Sequence, residues 1–342
     1  MPADLPPLRV LLTGGAGYIG AVLTPKLLVA GHAVTVLDAL WYGPETLGAC
    51  AENPRFSLVQ ADLRDHAEVR RVLREGAFDA LIHLASISND PSSELDPDLT
   101  REVNLVALEH LFRAAKEAGV RRVLYASSAS VYGVKQTPDV HEGLPLEPMT
   151  LYARYKAEGE DVLRGLLDDR CCGVAVRAAT VCGYSPRLRL DLTINILTSF
   201  GYHNGAIRVF GGAQQRPNVH VEDLTDFYVS LLRAPRDLIQ GEAFNVCREN
   251  ATVMELAALV QAELGEAVRI EVVPTDDNRS YHLSAEKVAR VLGFRAQRPL
   301  VQAVRDLRAA FDDGRVPDWE RAWYRNVAWM KLHPELCRFP AR

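Results

Sequence analysis

An apolar run from Leu8 to Thr13 passes without a break into Gly14-Gly15-Ala16-Gly17-Tyr18-Ile19-Gly20, and a segment of helical periodicity, Tyr18 to Ala30, follows at once. Strand, glycine turn and helix in that order open a βαβ unit. The glycines let the backbone turn tightly and approach a pyrophosphate, whose charge meets free N–H groups and the positive end of the helix dipole. Glycines also mark ordinary turns, so the weight lies in the position after a first strand and at the mouth of a first helix. Gly14, Gly17, Tyr18, Ile19 and Gly20 are therefore expected against a dinucleotide. Asp38 ends the second apolar run, 18 residues past Gly20. A carboxylate there accepts both ribose hydroxyls of an adenosine and repels a 2′-phosphate, so NAD is expected in preference to NADP.

Up to about residue 180 short β-branched runs alternate with amphipathic stretches. The runs are Leu8 to Thr13, Ala33 to Asp38, Phe56 to Gln60, Ala80 to Ala85, Arg122 to Ser127 and Gly173 to Ala178. Between them lie helical candidates that include Asp65 to Arg74, Asp98 to Ala118 and Leu151 to Leu167. The alternation predicts an α/β fold: a Rossmann-type doubly wound parallel sheet with helices on both faces. Pro25 is expected to kink the first helix. Beyond residue 180 the pattern loosens, with helices expected near Asp191 to Phe200, Asp223 to Leu232 and Val253 to Leu264, and strands at Ala243 to Val246 and Val268 to Val273. Residues 1–180 are read as the NAD-binding domain carrying the catalytic residues. Residues 181–342 are read as a smaller, interleaved C-terminal substrate-binding lobe, with some segments returning to the first domain. Trp319, Trp323 and Trp329 are expected to pack or to make a subunit contact.

A net charge of -5 over 342 residues gives no electrostatic footprint for nucleic acid or an anionic membrane. No window approaches the roughly 18 apolar residues of a membrane span, and prolines 2, 6 and 7 break any export signal. The six cysteines lack metal-ligand or disulfide spacing. Reduced thiols, no metal and a cytoplasmic location are expected.

The fifth run ends in Ser127-Ser128-Ala129-Ser130, and 24 residues after Ser128 comes Tyr152-Ala153-Arg154-Tyr155-Lys156. A tyrosine hydroxyl, with a reference pKa of about 10, is too weakly acidic to act as a base at neutral pH. A lysine one helical turn away, together with a positive nicotinamide ring, would lower it. Ser128 would hydrogen-bond the reacting oxygen. Those parts suit removal of a proton from an alcohol while its carbon gives hydride to the nicotinamide.

The glycine loop, Asp38, Asp62-Leu63, His83-Leu84-Ala85, Asn104, the serine run and Tyr152/Lys156, in that order, resemble the extended short-chain dehydrogenase/reductase family, which acts on nucleotide sugars. The resemblance covers nearly the whole chain. It implies that Asp62 and Leu63 flank the adenine, that Leu84, Ala85 and Ser127 line the cofactor channel, and that Lys156 holds the nicotinamide ribose. His83 is read as a core residue. Arg216-Pro217-Asn218-Val219-His220-Val221-Glu222-Asp223 resembles the family's Arg-x-x-x-His-Val-x-Asp segment, and Arg279 its later arginine, a pair suited to a diphosphate. Ser86, Ser130, Thr180, Arg187, Arg189 and Asn195 complete the expected substrate residues, with Thr180 where the family commonly has asparagine. Helices near 98–118 and 151–167 form the family's dimer interface, so a homodimer is expected.

After Ser128 the family's 4,6-dehydratases carry an Asp-Glu pair, and its GDP-fucose synthases carry a cysteine where Ser130 stands. Here the residues are Ala129 and Ser130, which leaves bare redox at an alcohol carbon, C4 of a nucleotide-diphosphate sugar. The outcomes are a 4-epimerase, a 4-dehydrogenase or a 4-ketoreductase. Finer stretches around Ala21 to Pro25, Ala179 to Leu192 and Arg279 to Tyr281 are similar to bacterial enzymes that oxidise C4 of a GDP-linked heptose. A non-catalytic NAD-binding sensor would be expected to have lost Tyr152 or Lys156, and both are present.

Overall fold

The structure is a computed structural model and describes residues 6–135, 137, 139–275, 280 and 282–338. The first half alternates strands β1 (Arg9–Thr13), β2 (Ala33–Asp38), β3 (Phe56–Gln60), β4 (Ala80–His83), β5 (Arg122–Ser128) and β6 (Cys172–Ala178) with helices. The helices are α1 (Gly20–Val29), α2 (His66–Gly76), α3 (Asp90–Ser93), α4 (Pro97–Arg101), α5 (Ala107–Glu117) and α6 (Leu151–Leu166). The second half supplies β7 (Thr180–Cys182), α7 (Thr193–Asn204), β8 (Ala206–Phe210), β9 (Gln215–His220), α8 (Val221–Leu231), α9 (Arg236–Ile239) and β10 (Ala243–Val246). It ends with β11 (Glu249–Thr252), α10 (Val253–Leu264), β12 (Arg269–Val273), α11 (Glu286–Leu292), α12 (Leu300–Asp312) and α13 (Asn326–Leu332).

The main sheet has seven parallel strands in the order β10-β6-β5-β4-β1-β2-β3. Side chains alternate across a strand, and both faces of this sheet are covered. Val10 and Leu12 of β1 pack with Leu23 and Leu27 of α1 and with Leu224, Phe227 and Leu231 of α8 on one face. Leu11 packs with Val69 and Leu73 of α2 and Leu108, Leu111 and Phe112 of α5 on the other. The order reverses between β1 and β4. Thr13 sits opposite Leu37 on one side and His83 on the other, and the crevice outside these strand ends is where such sheets bind ligands.

Smaller sheets, β11-β9-β7 and β12-β8, sit against α7, α10 and α12 in a second core built on Ile194, Ile207, Leu256, Val260 and Val304. The second half also completes the first, through β10 on the sheet edge and α8 against α1. No helix among the described residues is long and apolar enough to cross a membrane.

Three local features differ from the sequence reading. The helix expected over 98–118 is divided into α4, a single π turn at Glu102–Val106 and α5. That turn carries the buried Asn104, whose amide accepts from Ile87 N (2.8 Å) and donates to Ile87 O (2.9 Å), pinning the loop after β4. Helix α1 begins at Gly20, later than Tyr18, and continues through Pro25 to Val29. The helix expected from Asp191 starts at Thr193 and extends to Asn204, where Gly205 ends it in the left-handed region.

Candidate active site

A cavity of about 490 Å³ opens at the switch between β1 and β4. Its floor is the glycine loop. Gly14 has φ +75°, and a Cβ there would lie 2.5 Å from the Ala85 nitrogen; a Cβ on Gly20 would overlap the Gly14 carbonyl oxygen. Backbone therefore lies directly on backbone, and no side chain caps the start of α1 at Ile19. That cradle, with the helix N-terminus beneath it, fits a dinucleotide diphosphate. Gly17, Tyr18, Ile19, Leu84, Ala85 and Ser86 also line the cavity.

Asp38 lines it from the end of β2 and accepts hydrogen bonds from Ala16 N (3.0 Å) and Leu40 N (2.8 Å). Burial pushes its carboxyl above the ordinary value, while the two N–H groups oppose that rise. Asp62 and Leu63 line the same side, and Asp62 is held by Arg64 at 2.7 Å. Thus the residues expected at the ribose and adenine share one wall. His83 is buried behind it, 2.7 Å from the Thr13 hydroxyl, and burial lowers its pKa to about 3.

Ser128 ends β5, and Tyr152 and Lys156 lie one turn apart on α6, whose start is capped by the Thr150 hydroxyl. All three line the cavity. The Ser130 hydroxyl donates to Ser128 Oγ (2.9 Å), and the Ser128 and Tyr152 hydroxyls are hydrogen-bonded. Lys156, 4% exposed, donates from Nζ to the Ala126 carbonyl (2.7 Å) and lies 5.6 Å from the centre of the Tyr152 ring. Burial lowers its pKa to about 7.

Burial is the largest influence and raises the Tyr152 pKa; the Ser128 hydrogen bond and the Arg189 charge lower it, and the Asp90 charge raises it. Lys156 is half-discharged by its own burial near pH 7, and its proton is directed at a carbonyl. Spacing brought the two side chains together, but desolvation decides their proton affinities.

Behind Ser128 lies a buried network. Arg177 grips Glu160 through Nε (2.9 Å) and Nη2 (2.6 Å) and donates to the Tyr132 hydroxyl (2.7 Å), which donates to Asn245 (2.8 Å). Glu160 and Arg177 are 1% and 3% exposed. Ser127 donates to Glu160 at 2.6 Å, so its hydroxyl serves this network even though the residue borders the cavity.

At the other end stand Ser130, Thr180, Arg187, Arg189 and Arg216. Arg189 pairs with Asp191 at 2.9 Å. Arg187 is 1% exposed, lies over the Tyr42 ring at 3.7 Å and donates to Asn326 (2.7 Å) and Leu188 O (2.8 Å), with no carboxylate in ion-pair range among the described residues. Burial lowers its pKa to about 10. Asn195 does not reach the cavity. Its amide is spent on Gly183 N (3.0 Å), the Tyr18 hydroxyl (3.2 Å) and Arg189 O (2.9 Å), so it braces the segment that carries the arginines. Arg279 lies outside the described residues.

Sequence reasoning missed several lining residues: Asp90, which accepts from Thr150 (2.7 Å), and Trp41, Tyr42, Asn326 and Met330. Asp90 was open to discovery as an acidic residue shortly after β4. The others carry no spacing signal.

A family model described as the NAD dependent epimerase/dehydratase family matches residues 10–247. A UDP-glucose 4-epimerase from Mycolicibacterium smegmatis is 32% identical over 309 residues, covering 87% of this chain and 96% of that protein. Among solved structures, a dTDP-glucose 4,6-dehydratase from Streptomyces venezuelae with NAD bound is 27% identical with TM-score 0.80, covering 90% of this chain and 98% of the other. A UDP-glucose 4-epimerase from Thermus thermophilus in complex with NAD is 26% identical with TM-score 0.79, covering 89% and 99%. Matching sheet order, glycine cradle and likeness to NAD-bound relatives agree on the cofactor, and the chain belongs to the NAD-dependent epimerase/dehydratase family of the extended short-chain dehydrogenases/reductases.

Proposed function

We propose that the enzyme is a nucleotide-sugar 4-epimerase: it oxidises the C4 hydroxyl of a nucleotide-diphosphate sugar, allows the ketone to turn over, and re-reduces it from the opposite face. NAD, when bound, supplies the two-electron redox capacity. Tyr152 Oη takes the proton of the C4 hydroxyl and returns it after rotation. The Ser128 hydroxyl, itself receiving a hydrogen bond from Ser130, orients the reacting oxygen. Lys156 is placed to hold the nicotinamide ribose, and a cationic state beside the phenol favours its ionised form. Arg216 and the Arg187–Arg189 segment supply positive potential for the sugar's diphosphate, with Thr180 and Ser86 beside the sugar.

The observation that carries this reading is the pairing of Tyr152 and Ser128 with a neutral neighbourhood directly after the serine. Ala129 is buried and Ser130 is a hydroxyl, so the two positions hold no carboxylate to eliminate water and no thiol to epimerise next to the ketone. The UDP-glucose 4-epimerase relative supports beginning with UDP-hexoses.

The test is incubation of the NAD-loaded enzyme with UDP-, GDP- and dTDP-sugars, followed by mass and chromatographic analysis. An isomer of unchanged mass and new retention supports the epimerase. A product lighter by two hydrogens identifies a 4-dehydrogenase, one heavier by two a ketoreductase, and one lighter by a water a dehydratase; each would replace this reading.

A further inference from the structure

The end of the chain folds back over the site. The Trp323 indole donates to the Tyr42 carbonyl (2.8 Å) and the Trp329 indole donates to the Trp41 carbonyl (2.8 Å). Trp41 and Tyr42 stand three and four residues beyond Asp38, in the loop whose Leu40 adopts φ 57°. A leucine in that region is strained and persists only where its surroundings hold it. Asn326 joins three pieces of the site: its side chain accepts from Arg187 (2.7 Å) and donates to Ser88 Oγ (3.2 Å), and its backbone N–H donates to Asp191 (3.0 Å). Further along, the Cys337 carbonyl accepts from Arg64 (3.0 Å), the partner of Asp62.

Met330, 7% exposed, packs with Ile87, Leu99, Trp41 and Val103, and both Met330 and Asn326 line the same cavity as Gly17, Asp38 and Asp62. Residues 322–337 therefore run from the Arg187 end of the cavity to its Asp62 end, touching the loops on both sides. Two half-buried indoles hydrogen-bonded to backbone carbonyls and a methionine buried in the wall make a specific closure.

We propose that the C-terminal segment, residues 322–337, is a third wall of the cofactor site that holds NAD in place, so that the dinucleotide stays bound between turnovers and leaves only when this segment lifts away from Trp41 and Tyr42. Trp323 and Trp329 are the latches, and Met330 and Asn326 are the cavity-facing residues. The inference rests on the NAD site and not on the C4 reading; a failure of either leaves the other standing.

The experiment loads the full-length enzyme with radiolabelled NAD and chases with excess unlabelled NAD, comparing wild type with the Trp323→Phe, Trp329→Phe double variant, which keeps an aromatic ring at each position and removes both N–H donors. Release is expected to be faster by about tenfold or more. An unchanged release rate in a variant with the wild-type melting temperature would overturn the proposal. A second measurement needs no variant: NAD is expected to slow tryptic cleavage after Arg325 and Lys331 of the wild-type protein, and UDP alone is not. Equal cleavage with and without NAD would also overturn it.

Discussion

Replacing Lys156 by methionine should make the NAD-free protein more stable while destroying its activity. The amine is 4% exposed, and burial takes its pKa from 10.5 to about 7. In the unfolded chain it is fully charged at pH 7. Folding there withdraws a charged group from water at a cost of about 4 kcal/mol, from 1.36 kcal/mol per pKa unit. Methionine keeps the apolar stem and removes that cost, although it leaves the Ala126 carbonyl without its lysine donor, a loss of about 1–3 kcal/mol. A net gain of about 1–3 kcal/mol at pH 7 follows. The pH dependence is sharper than the absolute value. Between pH 7 and 10.5 the unfolded lysine keeps its proton and the folded one has lost it, so the cost of burial is set by how far the pH lies below 10.5; below about pH 7 both states hold the proton and the cost no longer changes with pH. Because the unfolded state binds more protons there, wild-type stability rises with pH through the window. The advantage of the variant should therefore shrink by about 2 kcal/mol from pH 7 to pH 9. Urea unfolding of both proteins at the two pH values measures this. A gap that is constant or widening would refute the assignment of a desolvated amine.

Tyr152→Phe removes the hydroxyl to which the proposed function gives the proton transfer and should lower turnover by about 10²–10⁴-fold, with NAD content after purification unchanged. Ser128→Ala removes the hydrogen bond that pulls the Tyr152 pKa down, so the rise of oxidation rate with pH should move to higher pH; an unshifted profile would separate Ser128 from the phenol. Glu160→Gln leaves Arg177 buried without its counter-charge and should destabilise the fold by about 3–5 kcal/mol, read as a lower melting temperature, even though neither residue lines the cavity.

The sequence disclosed those features that chemistry forces into fixed local spacing. The glycine turn follows a strand and opens a helix, and the serine, tyrosine and lysine fall at a strand end and one turn apart on a helix, so the convergence of Gly14, Asp38, Ser128, Tyr152 and Lys156 on one cavity could be read in advance. Asn195 could not be judged that way: a polar residue on an apolar helix looks like a site residue until its partners, Gly183, Tyr18 and Arg189, are seen. Strand β9 was hidden by its composition, Gln-Arg-Pro-Asn-Val-His, whose proline and polar residues give no alternation. The contribution of Asn326 and Met330 was invisible because it depends on where the chain end lands, a long-range property no local pattern records. Trp323 and Trp329 proved to be packing residues, as tryptophans usually are, but their hydrogen-bond partners lie 281 and 288 residues earlier.

The insertion of β10 beside β6 also governs how the chain can be made and divided. A chain emerging from the ribosome as far as Ala178 has six strands of the sheet, with the Gly173 and Ala175 backbone of β6 forming an open edge and Leu23 and Leu27 of α1 lacking their cover from α8. An exposed apolar edge strand is a template for pairing with another chain. The nascent protein must therefore wait for about 65 more residues before its main sheet can close, a long-range contact of the kind that slows folding and invites association. Expressing residues 1–180 alone should yield aggregates, whereas supplying residues 221–246 in the same polypeptide should restore a soluble sheet.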